Sequence, residues 1–322
     1  MSRGPAVRPR SDRAGPGSGS VACASGPAPG ASAILGSVDV AIVGAGRVGT
    51  ALGILLARAG HRIVAVSGRG ATRERTAAFL PDVPVLEPAE AAAGADLVLI
   101  ATPDDAIAPT CAALAGSVGG GRWVAHVSGA TGLDALAPAR AAGAGVLSLH
   151  PLQTFPDVEA ALGRIPGCTV AVTAEDERGF ALGERLARDL GARPARLADR
   201  DKALYHAAAV FASNYLVATQ ALAEELFRRS GLEEPLEAFL PLSRATLDNV
   251  ATMGPGRALT GPAVRGDAGT VARNLEALAE RAPEAVPAYV ALARAALDLA
   301  GRAGRLDASG RARVEEVLAR WR

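Results

Sequence analysis

Lysine is almost missing from this chain: Lys and Arg together number 34, and only one of them, Lys202, is a lysine. A general drift from lysine to arginine explains the arginines but not the one lysine that stayed. Aromatic residues are scarce, at 3%, and the formal net charge is only +1. Nucleic-acid binding would need a basic stripe interleaved with aromatics, and neither ingredient stands out. Near-neutrality also removes any global field toward an anionic membrane surface. The three cysteines, Cys23, Cys111 and Cys168, are widely spaced and form no CxxC pair. That excludes a disulfide framework and a cysteine zinc site, and it fits a reducing, cytoplasmic setting. No apolar run reaches the roughly 18 residues of a membrane span. What is present is 49% hydrophobic and 21% charged over 322 residues. That supports a sizeable core and roughly two domains, at about 100–200 residues each.

Residues 1–37 are rich in Gly, Pro, Ser and Ala, with Asp12 the only acid. Such a segment buries too little apolar area to offset its ordering entropy, so it reads as a disordered tail. From Val38 short apolar runs alternate with helical stretches. VDVAIV (38–43), RIVAVSG (62–68), DLVLIATP (96–103), WVAHVSG (123–129), GVLSLHP (145–151) and CTVAVT (168–173) are strand candidates. This alternation predicts an α/β Rossmann domain, a doubly wound and mostly parallel sheet, over residues 38–198. Beyond Asp199 the pattern turns helical, beginning with one long helix over 200–229 that Asp199 can cap. Residues 199–322 therefore read as an all-α domain.

GAGRVG (Gly44, Ala45, Gly46, Arg47, Val48, Gly49) follows a strand and opens a helix. In that context Gly44 serves a tight turn, Gly46 lets backbone approach a pyrophosphate, and Gly49 lets helix pack on strand. The helix N-terminus then faces the phosphates with free N–H groups. An NAD site would place a carboxylate at the end of the second strand. Here Val66, Ser67, Gly68 and Arg69 stand there. A hydroxyl beside a guanidinium suits a 2′-phosphate, so the expected cofactor is NADP(H). Arg73 and Arg75 can equally be a solvated helix face. Ala101, Thr102 and Pro103, at the end of the next strand, are expected to line the nicotinamide-ribose side; the aspartates that follow are open between site and plain turn.

His126 and His150 lie near predicted strand ends, with Gln153 just beyond. No HxH or HxxxH spacing occurs, so no metal is expected. On the predicted helix Lys202, His206 and Ser213 fall within about 40° at ~100° per residue, with Asn214 on the flank. Polar side chains clustered on an apolar helix are costly to bury, which points to a wet cleft between domains. The loop ALTGPAVRGDAGTV (258–271), with Arg265, reads either as a substrate or subunit contact or as a simple connection.

GAGRVG, ATPDDAI, HVSGATG, SLHPLQTF, YHAAAVFASNYL and ALTGPAVRGD together resemble a family of largely uncharacterised proteins. That family joins a Rossmann-like NADP-binding domain to a helical C-terminal domain of unknown function. The resemblance covers about Val38 to Leu299. More distantly the arrangement is similar to pyrroline-5-carboxylate reductase, ketopantoate reductase and the 3-hydroxyacid dehydrogenases. It implies a helical domain of the 6-phosphogluconate-dehydrogenase C-terminal-like type, a homodimer through that domain, and a substrate held between domains. Lys202 matches the lysine of two of these relatives, but His206 stands where they carry asparagine, so their substrates do not transfer. The resulting expectation is an NADP(H)-dependent oxidoreductase of a small, carboxylated carbonyl or imine compound. Lys202 or His206 would move the proton, His126, His150, Gln153 and Arg265 would bind substrate, and Ser213 and Asn214 would hold its polar groups. A non-catalytic NADP(H) sensor or scaffold, and a deazaflavin in place of nicotinamide, are the competing readings.

Overall fold

The computed structural model describes residues 36–321. The expected disordered tail, up to residue 35, and Cys23 lie outside the described residues. Seven strands form one sheet: β1 Asp39–Val43, β2 Arg62–Ser67, β3 Leu97–Ile100, β4 Trp123–His126, β5 Gly145–Pro151, β6 Thr169–Ala174 and β7 Arg193–Arg196. Their spatial order is β2-β1-β3-β4-β5-β6-β7. All neighbours run parallel except β5 and β6.

Helices α1 (Arg47–Arg58), α2 (Thr72–Phe79), α3 (Pro88–Ala93), α4 (Asp104–Leu114), α5 (Ala137–Ala141), α6 (Val158–Arg164) and α7 (Glu177–Asp189) connect the strands. Two apolar cores result, one around Ile42, Leu99 and Leu147 and one around Val98, Ile100 and Val124. A sheet covered on both faces explains why its strands read as unbroken apolar runs. The same covering hides strand direction. Between β5 and β6, α6 packs on α1, and β6 returns antiparallel. The sequence reading did not foresee β7, whose RPAR carries a proline and a single apolar alternation. Those are features of an edge strand, and they blunt an otherwise open sheet edge.

After β7 the chain is helical: α8 Lys202–Ala212, α9 Asn214–Arg229, α10 Pro235–Met253, α11 Pro255–Ala258, α12 Ala268–Arg281, α13 Val286–Arg302 and α14 Ala308–Leu318. The expected single helix over 200–229 is broken at Ser213, whose φ of −127° and ψ of −68° leave helical geometry. Helices α12, α13 and α14 share a small core of Val271, Leu275, Leu297, Val314 and Leu318. By contrast α8 buries only Lys202, and α9 buries nothing. Among the described residues no helix is long and apolar enough to cross a membrane.

Candidate active site

The glycine turn is built by backbone. Gly44 and Ala45 N–H groups both donate to the Ser67 carbonyl, at 2.8 and 2.9 Å, tying the end of β1 to the end of β2. Gly44 has φ of +100°, and a Cβ there would sit 2.7 Å from the Ala101 carbonyl carbon. A Cβ on Gly49 would meet the Gly44 oxygen at 2.5 Å. Only glycine fits both places. Helix α1 then starts at Arg47 with no side-chain N-cap bond, leaving its first N–H groups free for an anion.

Beside this turn lies a cleft of about 970 Å³. Its walls include Gly44–Gly46, Ser67, Arg69, Arg73 and Ala101–Pro103. The Thr102 hydroxyl is buried with no partner among the described residues. A cradle that a Cβ would fill and an orphaned hydroxyl on the same wall fit a dinucleotide whose polar groups complete them. Arg69 and Arg73 are exposed at the rim. The Arg47 guanidinium is turned away, donating to the Pro156 carbonyl at 2.9 Å, so its contribution here is its backbone. Val48 packs into the core beneath α1. Arg75, which sequence could not separate from a solvated face, props the turn by donating to the Ala45 carbonyl at 2.8 Å. Glu87 and Glu90 also reach the cleft, from the start of α3. No carboxylate was foreseen there, because the expectation considered only the end of β2.

At the C-terminal ends of β4 and β5 lies a second, polar cluster. His126, Ser148 and Thr173 are paired across β4, β5 and β6 and so share one face. All three are buried. Into this row reaches Lys202, 1% exposed. Its ammonium donates to the Ser128 carbonyl at 3.0 Å and to Ser148 Oγ at 2.8 Å. Ser128 Oγ donates to Asp104 Oδ2 at 2.8 Å and accepts from the Thr131 N–H at 2.9 Å. Asp199 does not cap the helix. Its carboxylate accepts from the Leu133 N–H at 2.9 Å, because a short 3₁₀ turn over Asp199–Asp201 intervenes before α8. Two residues beyond Ser148 on the same face, His150 Nδ1 lies 2.9 Å from the Tyr205 hydroxyl.

Burial pulls Lys202 down to about 8, against the opposing charges of Asp199 and Asp104. Burial, then the Lys202 charge, lowers His126 to about 3 and His150 to about 4, with His206 adding to the latter. Burial pushes Tyr205 up to about 12. At neutral pH the two strand-end histidines are therefore uncharged, while a lysine close to its titration point supplies the local positive charge.

Of the expected substrate groups, the structure unites Lys202, His126 and His150, with His206 one turn along α8 and half-buried. It does not bring in the rest. Gln153 is exposed, and its amide oxygen accepts from the Thr154 N–H at 2.8 Å. Ser213 sits at the helix break, about 16 Å along the helix from Lys202 at ~1.5 Å per residue, and Asn214 beyond it is exposed. Arg265 is exposed in the turn before α12, next to Gly266, which packs on Gly310 of α14. Sequence reasoning passed over Ser128, Ser148 and Tyr205 and left Asp104 open between site and turn. Period-2 spacing from His150 could have found Ser148, and helical i,i+3 spacing from Lys202 could have found Tyr205.

Together these features define a Rossmann-type fold whose glycine turn walls a large cleft, with a polar, lysine-centred cluster at the ends of β4 and β5. Residues 26–151 match the family pattern of a Rossmann-like domain. Residues 168–296 match a domain of unknown function, DUF2520. The chain thus carries a Rossmann-like domain followed by a DUF2520 domain. The second pattern begins at Cys168, so it includes β6 and β7, which complete the sheet. Among curated proteins no match is found.

A similar solved structure is a putative NADP oxidoreductase, BF3122, from Bacteroides fragilis, at 25% identity and TM-score 0.68, covering 81% of this chain and 98% of that one. Another is protein TM1727 from Thermotoga maritima, at 23% identity and TM-score 0.65, covering 83% and 100%. An imine reductase variant from Myxococcus stipitatus in complex with NAD⁺ matches at 17% identity and TM-score 0.56, covering 89% and 99%. At these identities the last two establish the fold alone.

Proposed function

We propose that this protein is an NADP(H)-dependent oxidoreductase acting on a small, carboxylated carbonyl or imine compound. The observation that carries this reading is one rim of one sheet. The glycine cradle ends β1, and the Lys202–Ser148–His150 cluster ends β4 and β5. In open α/β sheets ligands bind along that carboxyl-end rim. Backbone amides of Gly44–Gly49 and the start of α1 would hold the pyrophosphate. Ser67, Arg69 and Arg73 would hold a 2′-phosphate, and the Thr102 hydroxyl and the backbone of Ala101–Pro103 would meet the nicotinamide-ribose side. Bound there, the nicotinamide supplies or takes up hydride. Lys202 gives the adjoining space a positive potential that favours a carboxylate, and the neutral His150 and half-buried His206 offer hydrogen bonds to its remaining polar groups. The similar Bacteroides fragilis protein, described as a putative NADP oxidoreductase, supports the same reading.

The test is NADPH oxidation against a panel of 2-keto acids and cyclic imines, with turnover expected for at least one. No turnover with any, together with unaltered NADPH affinity in Lys202→Ala and His206→Ala variants, would favour a sensor. Titration with a deazaflavin checks the alternative cofactor.

The helical region is proposed to pair with a second copy of the chain. Between Lys202 and Glu224 no residue carries a formal charge. Leu204, Phe211 and Val217 on this stretch are 75%, 69% and 67% exposed. A helix with apolar residues in water and nothing buried lacks the packing that normally holds helices. An uncharged face can meet its own copy without like-charge repulsion. Sedimentation is expected to show a dimer, and Val217→Glu to shift it to monomer; a monomeric parent protein would refute the pairing.

A further inference from the structure

We propose that the Tyr205 hydroxyl passes the proton to and from the substrate heteroatom, with His150 as the positioning residue that orients and reloads it. This rests on the oxidoreductase reading above. The two side chains come from separate parts of the fold, the end of β5 and the second turn of α8, and meet at 2.9 Å. Their rings cross edge to face, 5.5 Å between centroids. Lys202, one turn earlier, is poorly placed for the task. It is 1% exposed, and two of its N–H groups are taken by Ser128 and Ser148. Tyr205 and His150 are only half-buried.

The imidazole is also held from behind. It lies over Gly129, where a Cβ would come 2.8 Å from Nε2, so the missing side chain gives the ring its seat. Lys202, His206 and Asp104 act on His150 by charge. Burial and the lysine charge keep this imidazole neutral at pH 7, so it relays protons rather than storing one.

In the reductive direction the substrate carbon receives hydride from NADPH, and the C=O or C=N π pair moves to the heteroatom. The Tyr205 O–H bond breaks as the heteroatom–H bond forms. The Nδ1 proton of His150 then moves to the phenolate as Nε2 takes a proton from water, and exchange of the ring protons with water returns the imidazole to its Nδ1-protonated form before the next turnover. Substrate, NADPH and one proton thus become reduced product and NADP⁺. The scheme requires the neutral imidazole to carry its proton on Nδ1, donating to Tyr205 and leaving the phenol proton free.

Nitrogen NMR of histidine-labelled protein with NADP⁺ bound reads that tautomer directly, and the chain has only four histidines to assign. The expected result is a His150 that stays neutral from pH 6 to 8 with Nδ1 protonated, and whose Nδ1 signal moves in Tyr205→Phe. A neutral His150 protonated on Nε2 would overturn the proposal, because the phenol proton would then be committed to Nδ1. With the acceptor found in the panel, Tyr205→Phe should lower kcat by about 100-fold or more while KM and NADPH affinity stay within about twofold. An active wild type with an equally active Tyr205→Phe would overturn the proton role and leave the oxidoreductase reading standing. A wild type that reduces no acceptor would remove both.

Discussion

Alanine at Gly44 is expected to weaken NADPH binding by at least about 100-fold, roughly 2.7 kcal/mol. Two independent effects act there. Residue 44 has φ of +100°, outside the region an L side chain tolerates. Its Cβ would also press on Ala101 and Thr102 at 2.7–2.8 Å, and those atoms are backbone, with no flexible end to give way. Relief must come from moving the turn or the end of β3, and both line the cofactor cleft. Gly60 separates strain from site geometry. It too has positive φ, at +95°, but a Cβ there meets nothing within 4 Å. Gly60→Ala should therefore cost about 1–2 kcal/mol of stability and leave NADPH affinity unchanged. Calorimetric titration of both variants checks the pair of outcomes.

Replacing Lys202 with methionine should lower reductive turnover by about 100-fold or more, with a distinctive pH signature. In the wild type, turnover should hold steady at neutral pH and fall as pH rises through about 8, where the buried ammonium loses its proton. That limb should be missing from Lys202→Met. Stability moves the other way. The folded pKa of about 8 lies below the ordinary lysine value of 10.5, so between those values the unfolded state binds more protons. Wild-type stability should then rise with pH across that window, by roughly 3 kcal/mol in all at ~1.4 kcal/mol per unit. Below about pH 8 both states are protonated and the burial cost is constant. Denaturant unfolding from pH 7 to 10 should show this slope in the wild type but not in Lys202→Met. Identical slopes would mean that the ammonium is not desolvated as described.

The sequence disclosed the parts of the site that depend on local pattern. A glycine turn between an apolar run and a helix has few other uses, and the structure builds it from Gly44, Gly49 and the Ser67 carbonyl as such a turn requires. Lys202 stood out because lysine is otherwise missing, and it is among the largest fully buried side chains. What could not be read was set by tertiary contact. The fate of Asp199 depends on Leu133, 66 residues away. The company of Lys202 depends on strand register, which puts Ser148 beside His126. An unbroken helix would put Ser213 on the Lys202 face and Asn214 on its flank, and the break at Ser213 redirects the chain from Asn214 onward. The direction of β6 left no trace either, since buried strands read alike in both orientations.

The central claim, a nicotinamide dinucleotide site that prefers the 2′-phosphate, is tested most directly by titrating the wild type and an Arg69→Ala, Arg73→Ala double variant with NADPH and NADH. NADPH should bind the wild type at least about tenfold more tightly than NADH, a difference of ~1.4 kcal/mol, and the double variant should bind both alike. Equal affinities in the wild type would contradict the phosphate assignment, and binding of neither cofactor would contradict the site itself.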